Sequence, residues 1–174
     1  ASGATLTRGA CFQKPAPTAG VQTVPMDPNV PRPEDLKSDA WSEALDRRSV
    51  RDGTLANDAR TGTGRSAAWM RVTTPLSDEE LLHRCCLAYM NDDMPAHTVR
   101  QAHPEFRDSR EGEISFVASL DHTIWYHRPP RPAPWHLYDF RCPGFIAARG
   151  LGIGHVYPPE GTHDATRSPA ALFP

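Results

Sequence analysis

The sequence predicts an α+β domain in which an antiparallel sheet wraps around one central helix. Three observations lead there. An apolar run with helical spacing, Leu81 to Tyr89, follows a strand-like segment; strand-like runs then succeed one another with no further helical pattern between them; and Pro75 and Pro95 bracket the helical run. Chain length agrees, because 174 residues with 39% hydrophobic side chains suffice for one ordinary core but hardly for two.

The elements follow in order. Residues 1–13 carry a short strand signal in Ala4 to Gln13, with Thr5, Thr7 and Phe12. Residues 14–65 read as a proline-rich linker and a polar loop. Pro15, Pro17, Pro25, Pro28, Pro31 and Pro33 remove backbone donors and favour extended chain. Within this stretch residues 35–47 are expected to form a brief helix with Trp41 and Leu45 on one face, and Arg48 to Arg65 a mobile loop. The compact domain is expected to span residues 66–174. It begins with a strand, Trp69 to Thr74, ended by Pro75. Ser77 and Glu80 match a capping box, so the helix should start there, bury a wide apolar stripe and stop at Pro95. Glu113 to His127 predicts a long strand with Ser119 and Asp121 on one face. Trp135 to Arg141 and Ala147 to Tyr157 supply two more strands.

Composition excludes several functions. A net charge of −2 offers no sequence-wide positive field for nucleic acid or an anionic membrane, and no apolar run approaches the roughly 20 residues of a bilayer span. The N-terminus lacks signal-peptide regions, and Ala-Leu-Phe-Pro is no peroxisomal address. Cys11, Cys85, Cys86 and Cys142 contain no C-x-x-C pattern, and the adjacent pair cannot bond without strain, so a reducing, intracellular and cytoplasmic setting is expected. His122 and His127 lack the further ligands of a zinc site, and no metal or cofactor is expected. Gly150, Gly152 and Gly154 precede no helix, so they read as places where the sheet passes close to the helix and not as a phosphate loop. Without a G-x-S-x-G elbow, a serine triad has no support. Cys142 reads as a buried apolar thiol.

The first candidate for chemistry is Asp92, seven residues after Cys85 and three after Tyr89, which projects it from the apolar side of the helix near its end. A carboxylate there needs a partner or a task. Asp93 is an equal candidate for the inward position, and a solvated helix end is the plainer alternative for Asp92. Ser119 alone is an ordinary strand hydroxyl.

The segment SLDHTIWYHRP, Ser119 to Pro129, together with Trp135-His-Leu-Tyr138, Arg149-Gly150 and LHRCCLAYMNDDM, Leu82 to Met94, resembles the acyl-CoA thioesterase II family of double hotdog enzymes. The resemblance covers residues 66 to 157 and implies a hotdog fold hydrolysing an acyl-CoA thioester to free acid and CoA. It places the family's catalytic aspartate on Asp92 and its hydroxyl residue on Ser119, the two orienting an attacking water. Asn91 stands where serine is usual. The third member, a glutamine, falls on Pro169, which cannot donate a hydrogen bond. Asp121, His122 and His127 fall on the structural part of the signature. Residues 1–13 resemble the end of a first hotdog, most of which is absent, so a homodimer or pairing with another hotdog is implied. The substrate implied is acyl-CoA or a carrier-bound acyl chain. Loss of the glutamine leaves two alternatives: a non-hydrolytic acyl-binding module, or an enzyme that transfers or lactonises the acyl group.

Overall fold

The computed structural model describes residues 24–50, 64–102 and 117–161, and the backbone of 165–172. The strand expected at Ala4 to Gln13, the loop at 51–63 and the first part of the strand from Glu113 lie outside the described residues. Six strands form one antiparallel sheet: β1 (Leu45–Val50), β2 (Arg65–Val72), β3 (Ala118–Tyr126), β4 (His136–Ile146), β5 (Arg149–Tyr157) and β6 (Ala165–Leu172), in the order β1-β2-β4-β5-β6-β3. Helices α1 (Glu80–Asn91) and α2 (Pro95–Ala102) connect β2 to β3. β1 and β3 are the two edges of the sheet.

The central strands are buried on both faces, and their alternation shows why. On β2, Ala68, Met70 and Val72 pack with Leu87 and Met90 of α1, with Met94, and with Tyr138, Phe140 and Val156 across the sheet. The intervening Ala67 and Trp69 turn the other way and join Leu137, Tyr157, Val50 and Val30. The second cluster is closed by the proline-rich segment, which departs from the expected plain connector. Met26, Val30 and Leu36 lie on the outer face of the sheet. The Trp69 indole N–H donates to the Pro31 carbonyl at 2.8 Å, and the Arg48 guanidinium to the Pro33 carbonyl at 2.6 Å. Prolines suit this role because the segment keeps its carbonyls as acceptors while demanding few partners for N–H groups. Arg65 is buried beneath it, forked onto Asp139 at 2.8 and 2.6 Å and bonded to Asp27 at 2.7 Å, which satisfies the guanidinium on three sides.

Several local expectations are corrected. The helix expected over 35–47 does not form: a 3-10 turn spans Pro33–Asp35 at its start, and Leu45 already begins β1. Arg48 to Val50 are strand, not loop, paired antiparallel to β2 with Val50 opposite Ala67. The helix opens at Glu80 with Glu79 as N-cap and no side-chain cap; the Ser77 carbonyl instead meets His83 Nε2 at 2.7 Å. Its buried stripe is narrow, comprising His83, Leu87, Met90 and Asn91, while Leu81, Cys85 and Tyr89 face outward. Pro95 does not end this helix but starts a second one, a position where its missing N–H has no helical acceptor to lose. Gly150 meets α2 and not α1: a Cβ there would stand 2.5 Å from both γ carbons of Val99. Gly154 instead lies under the Phe140 ring. β4 and β5 are joined by Ala147 and Ala148, both left-handed at φ 49° and 61°, as a two-residue hairpin requires.

Candidate functional site

α1 ends at Asn91, leaving Asp92 as its C-cap, with its N–H bonded to the Tyr89 carbonyl at 3.1 Å. β3 arrives from the other side. Its Ser119 hydroxyl donates to Asp92 Oδ1 at 3.2 Å, joining two residues 27 positions apart. The sequence-derived pair therefore meets.

The surroundings differ from expectation in two ways. Asp92 is exposed at the helix end, and Asp93 is the carboxylate that turns inward, its side chain 17% exposed. Burial raises the Asp93 pKa against the opposing pull of Arg47. Secondly, Ser119 and Asp121 do not share a face. A bulge at Leu120 sets Ser119 opposite Ala171 and Asp121 opposite Ala170, and consecutive residues of β6 face opposite sides. The bulge thus separates the exposed Asp121 from the pair.

Pro169 lies opposite His122, and Ser119 opposite Ala171. On its other side β6 pairs with β5 at Leu151–Ala170 and again at Gly154–Arg167, so the ladder skips the Pro169 position, where no amide N–H exists to bond. A strand forms here despite the polar run preceding it, because neighbours on both sides supply backbone partners.

Beside α1 lies an apolar cavity of about 510 Å³ lined by Leu45, Val72, Leu76, Cys85, Cys86 and Tyr89. Its size falls in the usual range for a ligand site. Sequence reasoning missed it, because it is assembled from the ends of β1 and β2 and the outward flank of the helix. Burial raises the Cys86 and Cys142 thiol pKa values, which disfavours either as a nucleophile. Among the described residues no group of three or more His, Cys, Asp or Glu is placed to hold a metal ion, and no helix is long and apolar enough to cross a membrane.

A helix packed against an antiparallel sheet, with Asp92 at the helix end meeting Ser119 of an edge strand, defines the class as a hotdog domain. Solved structures agree: a hotdog-fold protein from Alicyclobacillus acidocaldarius superposes with a TM-score of 0.63 at 18% identity, over 88% of this chain and 56% of that one. The relationship is also closer than fold. The acyl-CoA thioesterase C-terminal domain family matches residues 19–166, and the chain belongs to that family. The acyl-CoA thioesterase II TesB2 from Mycobacterium marinum has a TM-score of 0.74 at 30% identity, over 89% of this chain and 58% of that one. Mouse acyl-coenzyme A thioesterase 8 is 28% identical over 162 residues, covering 77% of this chain. The chain spans 48% of that relative's length.

Proposed function

We propose that this chain is the catalytic hotdog unit of an acyl-CoA thioesterase, with Asp92 and Ser119 as its water-activating pair. The observation that carries the reading is the Ser119–Asp92 hydrogen bond at 3.2 Å. Asp92 accepts a proton from water as its oxygen attacks the thioester carbonyl. Ser119 fixes the carboxylate and the water in one plane of approach. The tetrahedral intermediate then collapses with cleavage of the C–S bond; free acid leaves, and the CoA thiolate takes the proton from Asp92. The apolar cavity beside α1 is the proposed resting place of the acyl chain, its mainly apolar lining matching the hydrocarbon part of the substrate.

Pairing belongs to the same proposal. β3 is an edge strand whose residues 119–123 are all exposed. Among the described residues no strand pairs with its outer edge, and an open edge of that length invites another strand. A second hotdog, from another copy or another part of the full protein, is the partner we propose for it. Free Cys85 and Cys86 side by side suit a reducing compartment, which we take to be the cytoplasm.

A second reading rests on Pro169. If it stands where relatives place a glutamine, one donor of three is gone, and a non-hydrolytic acyl-binding module becomes the alternative. The deciding measurement is thiol release from a panel of acyl-CoA esters by wild type and Asp92→Asn. Equal rates remove hydrolysis at this site. A raised melting temperature with no turnover supports the binding module, and a lactone product detected by mass spectrometry supports diversion of the acyl group.

A further inference from the structure

Asp93, adjacent to Asp92, has a different environment. Arg47 of β1 places Nε 3.1 Å from Asp93 Oδ2, with both side chains largely covered at 22% and 17% exposure. The contact is coulombic and not a well-aligned hydrogen bond, since neither atom gains an aligned partner. Trp41 favours the ionised form of the same carboxylate. Trp41 also packs on Tyr89 of α1, with ring centroids 5.7 Å apart. Asp39 lies 3.9 Å from Arg47, and its charge opposes that of Arg47 at Asp93. The end of α1 is thereby tied to β1, at the opposite edge of the sheet from Ser119.

Two facts argue that this tie serves geometry. Backbone bonding fades through the turn between α1 and α2, from 3.1 Å at the Asp92 N–H to 3.5 Å at the Asp93 N–H, so side chains must hold what the backbone does not. Burial also outweighs Arg47 in setting the Asp93 pKa, which is raised. An acid whose folded pKa is raised contributes stability only at low pH and loses it as pH rises through the folded value. The carboxylate is thus held in place against a desolvation cost that Arg47 offsets only in part.

We infer that the Arg47–Asp93 ion pair clamps the α1–α2 turn and aims Asp92 at Ser119, making Asp93 a positioning residue. The inference rests on the reading of Asp92 and Ser119 as the working pair.

The test compares Asp93→Asn, Arg47→Lys, Asp92→Asn and the charge swap Arg47→Asp/Asp93→Arg with wild type. Asp93→Asn is expected to keep or raise the melting temperature. Its kcat should fall roughly tenfold to a hundredfold, as for a small misplacement of a catalytic group, with KM little changed. Arg47→Lys, which keeps the charge, should lose less than Asp93→Asn, and the charge swap should recover part of the loss. Amide hydrogen exchange at residues 92–94 should quicken about tenfold in Asp93→Asn while β2 and β4 stay unchanged. Full kcat in Asp93→Asn beside a disabled Asp92→Asn overturns the clamp and leaves the working pair standing. An active Asp92→Asn removes the pair itself. Unaltered exchange at 92–94 overturns the clamp whatever the activity.

Discussion

Truncating the hydroxyl in Ser119→Ala, alone and together with Asp92→Asn, measures whether the two side chains act as one device. A hydrogen bond to a charged acceptor contributes about 1.5–3 kcal/mol. Each 1.36 kcal/mol is tenfold in rate, so Ser119→Ala should lose between roughly tenfold and 150-fold in kcat. The 3.2 Å separation and the exposed setting of both residues put the expectation near the lower bound. Removing a general base costs on the order of 10²–10⁴. If Ser119 works by orienting the Asp92 carboxylate, it has nothing left to orient in Asp92→Asn. The double variant should then match Asp92→Asn within about twofold, giving a coupling as large as the whole Ser119 effect. Thiol release from a saturating acyl-CoA, read continuously with a disulfide reagent, supplies the four rates. Multiplicative losses would refute the reasoning, because they would mean that the hydroxyl and the carboxylate contribute independently.

Three further outcomes follow from the packing. Gly150→Ala forces a Cβ to 2.5 Å from the Val99 γ carbons and should destabilise by about 1–3 kcal/mol; adding Val99→Ala, which deletes those carbons, should recover part of the loss in thermal melting. Replacing Ala147-Ala148 with Asn-Gly relieves two left-handed alanines and should raise stability by about 1 kcal/mol, a shift of about 2–4 °C; an unchanged melting temperature would count against strain at this turn. The Arg65 guanidinium holds the Asp27 carboxyl below its usual value of 3.8. A depressed acid stabilises above its unfolded pKa and ceases to as pH falls through the folded value, so the outer strap should loosen below about pH 4. Trp69 fluorescence reports this, since its indole N–H bonds Pro31 of the strap; in Asp27→Asn the acid-dependent step attributable to this carboxyl should vanish.

Much of the domain was legible in one dimension because its signals are local. The apolar run from Leu81 to Tyr89 marks a helix, although the stripe it buries is narrower than that run, and the motif from Ser119 to Pro129 marks the strand that meets its end. The family resemblance carried by these segments nominated Asp92 and Ser119 as partners, and the fold brings them into contact. Misreadings arose where a competing contact overrode local preference. Residues 35–47 look helical until Leu45 and Val50 find partners on β2, and backbone pairing then outweighs a weak propensity. Pro95 looks like a terminator, although the same ring suits the first turn of a new helix.

What the amino-acid order determined by itself is the kind of domain, its family and the identity of the nominated pair. Which aspartate turns inward, which face Asp121 takes, the strap across the outer sheet and the clamp from Arg47 to Asp93 were decided only by tertiary structure. The reason is physical. Helix and strand periodicities are written within a few neighbouring residues, whereas a bulge, a helix end and an ion pair between sheet edge and helix depend on contacts between segments far apart in sequence.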